Sequence, residues 1–485
     1  MQTRDTDKTI ALVRYQPDYF QPFSRALAAA GFNLYWVNSH RSQHVSLTTR
    51  WGVPVSQSLD TTAGFDPESV DIRICRHELE AIESSRGPRI YDIILMDRIL
   101  RRQPTEVALK YLHHLQKVLI AYFRQNSIGL ITSGRDTALS LMSMLVGRHL
   151  GIPWVVPTRL RIPRDVYAFS STHETGDLIR TGRTTDRDRA WAREFLQTFR
   201  QSAMQPAIAK SARGFGDVFA LLPDHWRAFR QELAASVHDR GNRYSRYSVT
   251  RLLAMYVARR RNMLGYKVLR PYSSLGSGEY VLYALHTQPE SSIDVAGSYF
   301  SDQIALITFI ARSLPATHQL YVKVHPGDMD GHRPSFYRTI GRIPGVRVID
   351  QGVDSRRLVT GAAIVFTLTG TIGYEAALLG KPVITFANNY FNNLPTVYRC
   401  NAPTDLCELI STVLSSRPAV DNEDRIVTAL ADLRANAFDG EVNRNYGVDS
   451  APLSAVDLAN LQEAYDTLYR TLVTQKNDIV EAVRL

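Results

Sequence analysis

The sequence predicts an α/β fold built as two Rossmann-like halves facing one cleft. Short apolar runs alternate with stretches of helical periodicity over residues 10–156 and again over residues 280–386. Alternation of this kind gives parallel strands joined by helical crossovers. A charged, mostly helical region over residues 184–270 separates the two. In the second half, polar clusters stand at the ends of the apolar runs, where open α/β sheets bind their ligands.

Each element has its own signal. Ile10-Ala11-Leu12-Val13 reads as a first strand, a helix over residues 21–30 stops at Gly31, and Asn33 to Val37 is a second strand. Tyr91 to Leu95 reads as a short strand, while residues 105–124 carry apolar side chains at helical spacing. The strand Ile128 to Thr132 exits into Ser133-Gly134-Arg135-Asp136, with Asp136 the candidate N-cap of the helix that ends at Gly151. In the second half, strands are expected at residues 280–285, 319–324, 346–349, 364–367 and 383–386. Helices alternate with them at residues 302–313, around Phe336, at 355–360 and at 372–379. The chain then reads as helical to its end.

These elements divide the chain into an N-terminal Rossmann-like domain (1–183), a basic helical connector (184–275), a C-terminal Rossmann-like domain (276–450) and a terminal helix packing back across both (451–485). At 485 residues there is room for two or three domains with real cores. No apolar run approaches the roughly 18 residues that span a bilayer, and Met1 to Lys8 lacks the apolar core of a signal peptide. Cys75, Cys400 and Cys407 show neither disulfide nor metal-ligand spacing, so a reducing, cytoplasmic setting is expected.

The net charge of +10 is unevenly placed: no acidic residue falls between Asp239 and Glu279, while Arg240, Arg243, Arg246, Arg251, Arg259, Arg260, Arg261, Lys267 and Arg270 do. Nucleic acid, an anionic membrane surface and an anionic glycan all suit such a stretch. Tyr244, Tyr247, Met255, Tyr256 and Leu264 interleave the charges, as in a membrane-surface helix or a packed helix with a basic exterior.

Candidate chemistry gathers at the strand exits. Thr369-Gly370-Thr371 joins a strand to a helix, and Gly370 permits the tight turn that frees helix N–H groups for phosphate. Glu375 shares a helical stripe with Thr371, Leu378 and Leu379, so its carboxylate points inward, toward ribose hydroxyls or a structural ion pair. His325, before Pro326, is placed to meet a phosphate or a loop carbonyl; Lys323, two residues earlier, is phosphate-directed or simply exposed. After the first strand come His286, Gln288 and Glu290. Glu290 or Asp294 is a candidate base or nucleophile, with a turn and helix cap over Pro289 to Ser292 as the structural alternative. In the first half, Arg135 and Asp136 hold the corresponding exit, Asp136 more as a cap than as a catalyst.

The series HTQPE, YVKVHP and TLTGTIGYEAALLGKPVITF resembles the capsule polysaccharide biosynthesis family, which includes bacterial Kdo transferases, over residues 280–400 and more loosely over 90–170. The resemblance implies a GT-B fold with a nucleotide sugar (CMP-Kdo is the family's example) in the C-terminal half and the acceptor in the N-terminal half. It implies that His325 contacts the donor phosphate, that Thr369, Gly370 and Thr371 form the phosphate loop, and that Glu375 meets the ribose. Lys323 and Gln288 join this donor set, and His286, Glu290 and Asp136 are the candidate catalytic groups. The family's Kdo transferases carry acidic residues just after the glutamine of the first motif. Here Pro289-Glu290-Ser291-Ser292 follows Gln288, which leaves Glu290 the candidate nucleophile.

The expectation is therefore a cytoplasmic glycosyltransferase of surface polysaccharide assembly, acting on a glycan or lipid-linked glycan acceptor with neither cofactor nor metal. Arg135, Arg259, Arg260 and Arg261 are assigned to the acceptor or to the inner face of the membrane. A nucleotide-sugar epimerase or hydrolase, an anionic-polymer-binding assembly factor and, last, a nucleic-acid-binding protein are the rival readings.

Overall fold

The computed structural model describes residues 8–15, 17–83, 87–163, 165–201, 226, 229–230, 232–234, 236–237, 239, 244–269, 271–274, 276–325, 332–416, 422–440 and 454–474. Pro326, Arg240, Arg243, Arg270 and the start of the chain, all invoked above, lie outside them, as does the side chain of Lys267. The chain forms two compact units: residues 1–183, 238–247 and 435–485 make the first, and residues 184–237 and 248–434 the second.

The first unit holds β1 (Lys8–Val13), β2 (Phe32–Asn38), β3 (Ser58–Asp60), β4 (Leu130–Ser133), β5 (Trp154–Arg159), β6 (Val166–Ser170) and, from the far end of the chain, β13 (Phe438–Asp439). They form one sheet in the order β13-β6-β5-β4-β1-β2-β3, parallel except where β6 runs against β5 and β13. The central strands carry Ile10, Leu12, Leu130 and Val155 into a core with Phe23 and Tyr465. Fully buried apolar strands of this kind belong to sheets covered on both faces.

The terminal helix (Ala455–Tyr469) supplies part of that core. The Tyr465 hydroxyl bonds Thr132 at 2.8 Å, and its ring meets Phe169 edge-on at 5.1 Å. Gln462 donates to the carbonyl of Ala26 at 2.8 Å. This helix belongs to the first unit, where the sequence suggested a helix packing back across both halves.

The expected connector is likewise divided between the units. The helices Asp186–Gln201 and Val249–Leu269 go with the second unit, and residues 238–247 with the first. There Asp239 accepts from the Ser42 amide (3.0 Å), the Ser42 hydroxyl (2.6 Å) and Arg246 (2.7 Å). Burial alone would raise the Asp239 carboxyl; the Ser42 and Arg246 bonds outweigh it and hold it below its usual range. Tyr244 sits against Phe65 and Tyr111 at 4.7 and 5.5 Å, so this tyrosine is a packing residue and not part of a surface stripe.

Two further expectations are corrected. Residues 91–95 lie in a helix, Ile90–Met96, because the Asp92 carboxylate accepts the Arg89 amide at 2.9 Å and caps its first turn. The helix Ala138–Leu150 is capped by Thr137, which accepts from the Ser140 amide, and Asp136 stays exposed.

The second unit is a six-stranded, wholly parallel sheet in the order β12-β11-β10-β7-β8-β9, made of β7 (Glu279–Ala284), β8 (His318–Lys323), β9 (Val346–Ile349), β10 (Val365–Thr367), β11 (Val383–Thr385) and β12 (Val397–Arg399). Val281, Tyr283, Val322, Phe366 and Ile384 fill its core. The chain winds outward from β7 through β8 to β9, then returns to β10 on the other side of β7. That reversal falls between β7 and β10, and doubly wound sheets take their ligands beyond the carboxyl ends of the strands at such a point.

Candidate functional site

His286 leaves β7 at this reversal and reaches across it. Its Nε2 accepts the backbone N–H of Leu368 at 3.1 Å and lies 3.3 Å from the Thr367 hydroxyl at the end of β10. An amide can only donate, so Nε2 carries the lone pair and the ring proton sits on Nδ1. Burial, with the charge of His325 nearby, pushes the imidazole down to about 3. His286 is therefore a neutral N–H donor at working pH.

Gln303 holds the backbone of His286 from the other side, accepting its N–H at 2.8 Å and donating to its carbonyl at 2.9 Å. The same side chain donates to Gln288 at 2.9 Å. Gln288 in turn donates to Asp294 (2.8 Å) and to the carbonyl of Ser301 (2.9 Å), so its amide is engaged in holding the loop. The other Asp294 oxygen accepts the Glu290 amide at 3.0 Å, and the Glu290 carboxylate accepts from Ser292 at 3.0 Å. Glu290 is half-buried at the start of the short helix Ser291–Asp294. The turn-and-cap geometry weighed in the sequence is the one found.

Beyond β10, Gly370 precedes the helix Thr371–Leu378, and its own N–H is taken by the Thr367 hydroxyl at 2.9 Å. A Cβ here would stand 2.8 Å from Thr367 Oγ1 and 3.1 Å from His286 Cε1, so only glycine lets the loop lie on the imidazole. Glycine offers no capping side chain, so no side chain caps the start of this helix, and the Gly373 N–H bonds the Gly370 carbonyl at 3.0 Å. Thr369, Gly370 and Thr371 are half-buried.

One turn into that helix, Glu375 is only 7% exposed and makes no side-chain hydrogen bond among the described residues. Burial pushes its carboxyl up to about 7, opposed by Arg356 and Lys323 and reinforced by Asp354. Arg356 is turned away, bonding the carbonyls of Phe199 and Arg200 at 3.0 and 2.9 Å.

Lys323 corrects a sequence expectation. It is buried, and its Nζ donates to the carbonyls of Gln351 (3.0 Å) and Val353 (2.7 Å), clamping β8 to the loop after β9. Burial lowers its pKa, against Asp350, Asp354 and Glu375. His325, two residues on, is exposed, with Nδ1 3.4 Å from the Thr287 hydroxyl. The structure thus gathers His286, Thr287, His325, Thr369 to Thr371 and Glu375 around one sheet end, with Gln288, Glu290 and Lys323 as its scaffold.

Arg135 and Asp136 lie in the first unit. Arg135 donates to Thr158 at 2.6 Å and burial pushes its guanidinium down to about 10, so it lies against β5. Arg259, Arg260 and Arg261 lie on the helix Val249–Leu269 of the second unit, Arg259 and Arg261 exposed and Arg260 5.1 Å over the Tyr256 ring. Sequence reasoning missed Gln303 and Thr367, since a polar side chain spent on a distant backbone carries no local pattern. Among the described residues no group of three His, Cys, Asp or Glu side chains could hold a metal ion, and no helix is long and apolar enough to cross a membrane.

The fold and site define a doubly wound α/β unit in which a glycine-started helix meets the end of the parallel sheet. Residues 227–395 match the family model described as capsule polysaccharide biosynthesis protein, so the resemblance carried by the motifs is shown over that segment. No curated protein matches the sequence. Among solved structures, the chain is similar to the KpsC β-Kdo 2,7-transferase of Thermosulfurimonas dismutans (9% identity, 94% of this chain and 99% of that one, TM-score 0.35). The KpsC β-Kdo 2,4-transferase of the same organism gives 14% identity over 69% and 87%, TM-score 0.31. The UDP-GlcNAc 2-epimerase of Methanocaldococcus jannaschii gives 11% over 87% and 98%, TM-score 0.25. Likenesses of this depth assign no residue and no substrate.

Proposed function

We propose that the protein is a glycosyltransferase of capsular or other surface polysaccharide biosynthesis, taking its sugar from a nucleotide-sugar donor bound by the second unit. The observation that carries this reading is the glycine-capped start of the helix Thr371–Leu378 beside the buried, unbonded carboxylate of Glu375. Helix N–H groups favour phosphate, and a buried carboxylate needs hydroxyl donors such as those of a ribose. The match of residues 227–395 to the capsule polysaccharide biosynthesis family adds capsule assembly.

In this reading the Nδ1–H of His286 and the exposed ring of His325 join the helix N–H groups in stabilising charge on the departing phosphate. The end of the sheet holds the sugar in a productive position, and no acid–base duty falls on His286. The acceptor is a glycan or lipid-linked glycan, met at an anionic membrane surface through the basic stretch.

Titration calorimetry with CMP, UDP, GDP and their sugars tests the donor site. Binding of one of these, weakened at least tenfold in Glu375→Gln and Gly370→Ala, is the expected result. Absence of binding to every nucleotide overturns the reading. Sugar released or interconverted without acceptor moves the chain to the epimerase or hydrolase class.

A further inference from the structure

The helix Val249–Leu269 has two apolar faces, and only one is used by the fold. Leu252, Met263 and Tyr266 are buried, with the Tyr266 hydroxyl 2.9 Å from Asp350. Gly265 allows close approach to Pro334, since a Cβ there would fall 2.2 Å from the proline ring. The helix is therefore fixed to the second unit along this side.

On the other side Leu253, Val257, Leu264 and Val268 are 49, 66, 47 and 73% exposed. At ~100° per residue they fall within about 60° of one another, a single stripe about 22 Å long. Arg260 projects about 20° beyond one edge of the stripe and Arg261 about 20° beyond the other. Trp226, 51% exposed, stacks on Phe229 at 5.4 Å and meets Tyr256, on the Arg260 side, at 6.2 Å. An apolar ridge bracketed by guanidinium groups, with an indole at its margin, is the pattern of a helix lying in a bilayer interface.

We infer that this face docks on the surface of an anionic lipid bilayer, Leu253, Val257, Leu264 and Val268 entering the acyl boundary while Arg261 meets phosphate headgroups. Charge complementarity selects this occupant: the stretch 240–278 contains no acidic residue, so nothing in it repels a negative surface. The inference deepens the membrane contact proposed above and names the surface that makes it. Exposed apolar side chains on a helix already anchored by its opposite face need no refolding to insert.

The test is co-sedimentation of the full chain with vesicles of phosphatidylglycerol and phosphatidylcholine in equal parts, beside pure phosphatidylcholine. Wild type is expected to bind the anionic vesicles and to bind pure phosphatidylcholine far more weakly. Leu253→Ser, Val257→Ser, Leu264→Ser and Val268→Ser combined should cut that binding by about tenfold or more. Because these side chains are exposed, the thermal midpoint and the nucleotide titration of the combined variant should match wild type. Equal vesicle binding by the two proteins overturns the role of the stripe and leaves membrane contact to other residues. No binding by wild type removes the membrane contact altogether, while the nucleotide titration still decides the donor reading. A dimer of the wild type that the four substitutions dissociate, seen by analytical ultracentrifugation, would assign the stripe to a second copy and overturn the inference.

Discussion

The backbone N–H of Leu368 points at Nε2 of His286 across 3.1 Å, joining the ends of the two strands between which the second sheet reverses. One side-chain lone pair thereby ties the two strand ends together and puts the ring proton on Nδ1.

Replacing His286 by Phe keeps the bulk and removes the acceptor, leaving the Leu368 amide unsatisfied at a cost of about 1–3 kcal/mol. The imidazole has a folded pKa of about 3 against 6.5 unfolded. Its stability contribution is thus complete above 6.5 and lost as pH falls toward 3. Urea denaturation at pH 7 and pH 5 should show wild type losing part of its advantage over His286→Phe at the lower pH.

Glu375 behaves in the opposite sense. Its carboxyl is raised to about 7 from 4.5, so the folded protein is favoured below 4.5 and loses that contribution as pH rises through 7. Glu375→Gln should exceed wild type in stability at pH 8 by on the order of 2–3 kcal/mol, by thermal or urea melts, while binding nucleotide more weakly. Nucleotide affinity of wild type should weaken below pH 7, where the carboxylate gains a proton, and that of the glutamine variant should stay flat.

The two glycines that flank the helix Thr371–Leu378, Gly370 before it and Gly380 after it, should respond differently to alanine. Gly370 has an ordinary φ of −73°, and its obstacle is the contact with Thr367 and His286. Gly370→Ala should cost about 1–3 kcal/mol and lose nucleotide binding. Gly380, at φ +76° with nothing within 4 Å, pays only backbone strain; Gly380→Ala should cost ~1 kcal/mol and keep nucleotide affinity. Calorimetry and denaturation on the pair separate contact from strain.

The Asp239–Arg246 pair is 2.7 Å long, with side chains only 2 and 15% exposed. Removing one partner of so buried a pair should cost about 3–5 kcal/mol, so Asp239→Asn should lower the urea midpoint sharply. A double-mutant cycle with Arg246→Met should recover much of the loss, since the second change removes the stranded charge.

The strands were legible because each buried run is short, apolar and bounded by polar exits. Val346 to Ile349 needed no adjustment, and the stripe through Thr371 and Glu375 correctly turned the carboxylate inward. Lys323 was misread because alternation along a strand places a side chain on a face but cannot tell a buried amine with two carbonyl acceptors from one held out to a ligand. Asp136 lost its capping place to Thr137 for a similar reason: both are good caps one residue apart, and only the backbone of the turn decides between them. Of the three parts of the first unit, the terminal helix was expected to pack back across both halves, while the share of residues 238–247 was hidden. Tyr244 and Asp239 carry their meaning in contacts with Tyr111 and Ser42, far away in sequence.

That three-part origin sets an order of assembly. During synthesis the N-terminal residues of the first unit emerge early, yet β13 and the helix bearing Tyr465 appear only after the whole second sheet has been made. The first unit must wait with its core open over Thr132 and Phe169 while the second completes itself, the reverse of the usual N-terminal-first sequence. A ribosome stalled far enough beyond residue 434 for that residue to clear the exit tunnel would hold a finished second unit tethered to an unfinished first, so protease resistance should arrive in the later-encoded unit first.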